Sequence, residues 1–78
     1  MVFVYSLESK DGIHWYVGIT DDVDRRLTEH NSGKCIHTNK YKPWKLRSYT
    51  AFTDRSRAEV FERYLKSHSG RAFSKKHL

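Results

Sequence analysis

A small α+β fold, with three antiparallel strands flanked by helices in the order β-β-α-β-α, is predicted by three features of this 78-residue chain. An Asp-Gly pair, Asp11-Gly12, separates two short runs of aromatic and β-branched residues, which is a strong hairpin signal. Two later segments carry apolar residues at helical spacing, with capping residues before them and a glycine beyond them. Between those segments a third apolar run starts directly after the single proline and alternates with basic residues. A chain this short holds one core, so residues 1–78 are read as one domain.

The first strand is expected over residues 2–7, Val-Phe-Val-Tyr-Ser-Leu, and the second over 13–18, Ile-His-Trp-Tyr-Val-Gly. Thr20 is expected to cap a helix whose first turn holds Asp21 and Asp22, which suits the positive end of the helix dipole. That helix runs to about Asn31, with Gly33 as terminator. Residues 34–43 lack periodicity and read as a loop ending at Pro43. In the strand expected over 44–52, Trp44, Leu46 and Phe52 share even positions and one buried face, with Lys45 and Arg47 opposite. Ser56-Arg-Ala-Glu59 is a capping box opening a helix through about Ser67, with Gly70 as its stop. The tail from Arg71 to Leu78 has room for one short helical turn.

Composition sets the partner class. The formal charge of +6 is unevenly spread. Residues 1–39 carry four basic and six acidic side chains, residues 40–78 eleven and three, hence −2 against +8. Such a field favours a polyanion, and nucleic acid before others. Aromatic residues make up 14% of the chain, too many for a disordered polyelectrolyte. The lone Cys35 cannot form an internal disulfide, which points to a reducing cytoplasm. The first residues hold no basic leader, and no apolar stretch approaches membrane-spanning length, so neither a secretory signal nor a membrane partner is expected.

Polar residues on apolar helix faces narrow this further. Counting from Val23 at helical spacing gives Arg26, Leu27 and His30, and on the later helix Glu62 borders the stripe of Ala58, Phe61 and Leu65. Each has an ordinary reading alone. Glu62 can pair with Lys66, Arg26 can cover apolar surface with its stem, and His30 can sit near a helix C-terminus. Together they are expected to converge on one face of a sheet that carries Tyr5 and Tyr16. That set suits phosphate chemistry. Arginine clamps a phosphate and stabilises added charge, one carboxylate can place hydrated Mg²⁺, and tyrosine or histidine can move a proton.

These residues resemble the GIY-YIG nuclease family, especially its short single-domain members. The second naming motif stands as Tyr16-Val17-Gly18 and the first as Phe3-Val4-Tyr5, with phenylalanine replacing glycine. Arg26 lies eight residues past Gly18 in a helix ending His30-Asn31-Ser32-Gly33, and Ala58, Glu62, Leu65 and Lys66 match an Ala-x-x-x-Glu-x-x-Leu-Lys context. The tail from Lys66 to Phe73 is also similar. The resemblance covers nearly the whole chain. It implies that Tyr5 and Tyr16 flank the scissile phosphate, that one of them orients or deprotonates the water, and that Arg26 stabilises the pentacovalent phosphate. His30 would assist the proton path or hold a tyrosine. Glu62 would bind the single divalent ion, Mg²⁺ or Mn²⁺. Family members often use a late asparagine, and none follows Asn39.

Nucleic-acid contacts are expected from Gly18, where a missing side chain lets a phosphate approach the backbone, and from Lys40, Tyr41, Lys42 and Lys45 in a basic aromatic segment. Arg71, Lys75 and Lys76 in the tail add to them. Trp44 is assigned to the core. Cys35-x-His37 lacks a fourth zinc ligand and Cys35 lacks an activating partner, so zinc and thiol chemistry are set aside. The RNP aromatic signature of RNA-binding sheets is absent. The reading that results is a one-metal endonuclease acting on DNA. Its alternatives are a non-catalytic nucleic-acid module of the same fold and a protein-interaction domain. A domain of this size touches few nucleotides, so specificity is expected from a homodimer or a partner subunit.

Overall fold

A computed structural model describes all residues 1–78. Strands β1 (Val2–Ser9), β2 (Trp15–Thr20) and β3 (Trp44–Phe52) form an antiparallel sheet in the order β2-β1-β3. Helix α1 (Val23–Asn31) and the single-turn α2 (Ile36–Asn39) lie between β2 and β3, and α3 (Arg55–Lys66) and α4 (His68–His77) follow. The antiparallel α+β architecture is the expected one, with the single-turn α2 in a segment read as loop and a full helix α4 where one short turn is expected.

The central strand is covered on both sides, and this organises the molecule. Val4 packs with Ala58 and Leu65 of α3, whereas its neighbours in the other parity, Tyr5 and Leu7, pack with Val23 and Leu27 of α1. Successive strand residues point to opposite faces, so α1 and α3 lie on opposite sides of the sheet. The expected convergence of both helices on one face is therefore overturned.

Strand β3 departs from its simple alternation for a related reason. Ser48 pairs with Ser6 but Leu46 pairs with Leu7, leaving Arg47 in a bulge. Trp44 and Leu46 thus face α1, while Phe52, also at an even position, packs with the α3 side. Arg47 is swung to the α4 side, where its Nη2 donates to the Ser74 carbonyl oxygen at 3.2 Å.

The hairpin loop is longer than its Asp-Gly pair suggests, and β2 starts two residues late. The Asp11 carboxylate accepts from the Ser9 hydroxyl and from the Ile13 N–H, and Gly12 takes φ +75°. Those bonds tie Ile13 and His14 into the turn. Asp22, not Thr20, is the N-cap of α1, accepting from the Arg25 N–H at 3.0 Å. Thr20 instead accepts from the Asp22 N–H. Gly33 does terminate α1, at φ +84°, with Gly33 and Lys34 N–H groups returning to the His30 and Glu29 carbonyls in a Schellman motif.

Asp54 caps α3 through the Ser56 N–H, in place of the expected Ser56 box. Gly70 is not a stop. It sits in the first turn of α4, where Ser67 is the N-cap and accepts from its N–H. A Cβ on Gly70 would lie 1.7 Å from the Tyr64 carbonyl oxygen. The glycine permits the tight corner between α3 and α4, and the tail becomes a ten-residue helix.

Candidate active site

Four of the five expected catalytic residues meet on the α1 side of the sheet. Tyr5 is 1% exposed on the central strand, and its hydroxyl lies 2.9 Å from His30 Nε2. His30, the one buried residue of α1, has its Nδ1 2.7 Å from the Thr38 hydroxyl. The Tyr16 ring packs at 4.7 Å from the imidazole, and the Tyr5 ring at 6.0 Å. Arg26 joins from one turn earlier on α1: its guanidinium reaches toward the Tyr5 hydroxyl and donates to Glu29 Oε1 at 2.6 Å.

The Thr38 hydroxyl, which donates to the Cys35 carbonyl oxygen, gives this chain its polarity. The Arg26 guanidinium, which only donates, faces the Tyr5 oxygen and agrees with that direction. The Tyr5 O–H then donates to His30 Nε2, and His30 Nδ1–H donates to Thr38. The Thr38 hydroxyl in turn points to the Cys35 carbonyl oxygen, 3.5 Å away. This assigns His30 as the Nδ1–H tautomer.

Electrostatics keep the group neutral except at Arg26. Burial is the largest influence on Tyr5 and pushes its phenol up to about 12, against the Arg26 hydrogen bond that pulls it down. Burial and then the nearby Arg26 charge lower the His30 pKa, so the imidazole is uncharged at neutral pH. The Arg26 pKa is raised, chiefly by the Glu29 carboxylate and next by Tyr5, while Arg26 holds Glu29 below the usual carboxylate range. Tyr16 is half-buried, and its hydroxyl is engaged by no protein group.

Glu62 stands apart. It lies on α3, across the sheet, with its side chain 20% exposed and Oε2 3.3 Å from Lys66 Nζ. No hydrogen bond or ion pair joins it to the Tyr5 group. No three His, Cys, Asp or Glu side chains cluster anywhere in the chain. A single carboxylate of this kind suits an ion that retains its waters and borrows phosphate oxygens, rather than a zinc or calcium cage.

Gly18 has a packing reason in the structure. It pairs with Tyr5 across the strands, and a Cβ there would lie 2.5 Å from the Tyr5 hydroxyl. The glycine makes room for a tyrosine. Among the expected nucleic-acid contacts, Lys40, Lys42, Lys45, Arg71, Lys75 and Lys76 are exposed, and Lys45 pairs with Glu8 at 3.7 Å. Tyr41 is 38% exposed and stacks on His14 at 3.7 Å. Trp44 is buried as expected, with its indole N–H donating to the Thr38 carbonyl oxygen.

Sequence reasoning missed Thr38, Glu29 and Asn31. A histidine buried on both ring nitrogens needs a second partner, which is the signal that leads to Thr38. Asn31 clamps the backbone of Trp44, donating to its carbonyl oxygen and accepting from its N–H. The run His30-Asn31-Ser32-Gly33 therefore has a physical logic: one residue for Tyr5, one for β3, and a glycine to end the helix.

Comparison with known proteins places the chain in a family. The GIY-YIG catalytic domain model matches residues 1–76. The UPF0213 protein BH0048 of Halalkalibacterium halodurans is 43% identical over 70 residues, covering 88% of this chain and 73% of that protein. A UPF0213 protein of Streptococcus pneumoniae is 40% identical over 65 residues, 82% of this chain and 65% of its own length. One from Halobacterium salinarum is 41% identical over 59 residues, 74% of this chain and 75% of its own. The chain thus spans about two thirds to three quarters of these relatives. The solution NMR structure of BH0048 from Bacillus halodurans superposes with a TM-score of 0.57 at 40% identity, covering 96% of this chain and 81% of that one. With a family model spanning nearly every residue, and relatives of this similarity along most of its length, the chain belongs to the GIY-YIG catalytic-domain family, among its small UPF0213 proteins.

Proposed function

We propose that this protein is an endonuclease that hydrolyses phosphodiester bonds in DNA with the help of one divalent ion. The observation that carries the reading is the buried Tyr5–His30–Thr38 hydrogen-bonded array with the Arg26 guanidinium beside Tyr5 at its open end. A structural core has no need to aim an arginine this way, whereas a phosphate gaining negative charge does.

The array suggests a division of labour. Tyr5 is protonated at neutral pH and its proton is committed to His30, so it holds Arg26 rather than abstracting a proton. Tyr16, with an unengaged hydroxyl beside His30, is the residue left to orient or deprotonate the attacking water. Glu29 keeps the guanidinium oriented until a phosphate takes its place. Glu62 would hold Mg²⁺ or Mn²⁺, which supplies positive charge at the leaving oxygen when bound.

The two layers meet around an edge of the sheet. The central strand is covered on both faces, and of the two edge strands it is β2 whose Tyr16 packs on His30 and shares a cavity wall with Lys66, the partner of Glu62, so a phosphate that touches both Arg26 and Glu62 lies along β2. Tyr16 sits on that strand. The basic residues of the second half of the chain would steer the polyanion there.

Incubation of nicked, branched, single-stranded and duplex DNA with Mg²⁺ tests the proposal. Cleavage by wild type, with a loss of about a hundredfold or more in Arg26→Ala and Glu62→Ala, is expected. Equal products from all three proteins would refute it.

A further inference from the structure

A cavity of about 290 Å³ opens on the α3–α4 side of the sheet and has no part in the array above. It is lined by Ser6, Trp15, Tyr16, Val17, Leu65, Lys66, Arg71 and Ser74. Trp15, 38% exposed at the start of the edge strand, is its principal aromatic wall. The Arg47 guanidinium lies 3.7 Å over the Trp15 ring, held there by its bond to the Ser74 carbonyl oxygen. The bulge in β3 places it, and its Nη1 is buried without a partner. The indole is therefore held rigid, and an exposed tryptophan costs little further entropy when a second flat group stacks on it.

The position of the cavity specifies the occupant. Tyr16 lines it and also packs on His30, while Lys66 lines it and pairs with Glu62. It thus borders both residues between which a phosphate would run in the proposed reaction. Its walls combine an aromatic face, serine hydroxyls and two cations, Lys66 and Arg71. An apolar slot with a few polar groups and a positive rim suits a nucleobase with its attached phosphate. A paired base cannot enter it.

We infer that this cavity is a subsite for one unpaired nucleotide, its base stacked on Trp15 and its phosphate met by Lys66 or Arg71. The substrate would be single-stranded at the cut, or would have a base turned out of a duplex. The inference rests on the nuclease reading for the identity of the polyanion. Its test does not depend on cleavage.

The probe is a short single-stranded oligonucleotide carrying one 2-aminopurine, titrated in EDTA into wild-type protein, Trp15→Ala, Trp15→Phe and Arg71→Ser. A matched oligonucleotide with an abasic site at that position and the same sequence as duplex are run beside it. Quenching of 2-aminopurine by wild type is expected. So is about a tenfold or greater loss of affinity in Trp15→Ala, partial recovery in Trp15→Phe, and an equal loss for the abasic strand that does not add to that of Trp15→Ala. Arg71→Ser should weaken all strands alike and reduce the salt dependence. Equal affinity for intact and abasic strands, or unchanged binding by both Trp15 variants, would overturn the subsite. Stacking without cleavage on any substrate would sustain the subsite and defeat the nuclease proposal, whereas cleavage without stacking would do the reverse.

Discussion

Thr38→Val removes one atom from the buried array and little else. Thr38 is 2% exposed, and its backbone carbonyl, which accepts from the Trp44 indole, is untouched by the change. What is lost is the acceptor for His30 Nδ1–H at 2.7 Å. A buried imidazole N–H without a partner costs about 1–3 kcal/mol, and the extra buried methyl offsets roughly 0.8 kcal/mol of it. The net destabilisation is about 0.2–2 kcal/mol, or a fall in Tm of roughly 1–15 °C for a domain of this size. Circular dichroism melts at pH 7.5 measure it. The same variant should also reverse the tautomer. With no acceptor at Nδ1, the proton moves to Nε2 and donates to the Tyr5 oxygen, which then competes with Arg26. Nitrogen-15 spectra of the imidazole would show the two ring-nitrogen resonances exchanging character. An unchanged tautomer in the variant would refute the assigned direction of the chain.

Gly18→Ala would place a Cβ 2.5 Å from a tyrosine hydroxyl that has no room to swing, so destabilisation of about 1–3 kcal/mol and weakened Tyr5–His30 bonding are expected; a melt and the His30 resonances check both. Because the Tyr5 phenol is pushed up to about 12 from 10.0, the unfolded chain loses that proton first as pH rises. Stability should therefore fall between about pH 10 and 12, by more than in Tyr5→Phe, and an ultraviolet titration should show one of the five tyrosines ionising late. His30 has a pKa lowered from 6.5, so the unfolded state binds the extra proton. Stability is then constant above pH 6.5, falls as pH drops from there toward the folded value, and is flat below it. Urea unfolding of wild type against His30→Gln isolates that slope from the other four histidines.

The elements were legible wherever a local rule sufficed. The Asp11-Gly12 turn, the Gly33 terminator and the strand from Trp44 to Phe52 follow from turn chemistry and alternation, which neighbours in sequence decide. What local rules missed was decided by groups far apart in the chain. Gly70 reads as a helix stop because glycine usually ends helices; here its missing side chain serves a helix corner set by the Tyr64 carbonyl. Phe52 reads as sharing a face with Trp44 because the bulge at Arg47 leaves no mark on the alternation. Asp22 displaced Thr20 as a cap because both residue types can cap, and only the bond to the Arg25 N–H chooses between them.

The site shows the same division in sharper form. Arg26 and His30 stood out because charged and titratable groups on an apolar stripe are costly without partners. That reasoning names the residue that needs a partner, but not the partner. Tyr5 on one side of His30 and Thr38 on the other come from 25 residues before it and 8 residues after it. Glu62 met the same rule on α3, yet helical spacing says nothing about which face of the sheet a helix covers. The two-sided burial of β1 is the clue that was available. A strand reading Val-Phe-Val-Tyr-Ser-Leu has too many large residues for one face, so it predicts helices on both. It follows that any chemistry shared by Arg26 and Glu62 has to be assembled around a sheet edge, and the packing of Tyr16 on His30 and beside Lys66 makes that edge β2, beside Tyr16 and Trp15.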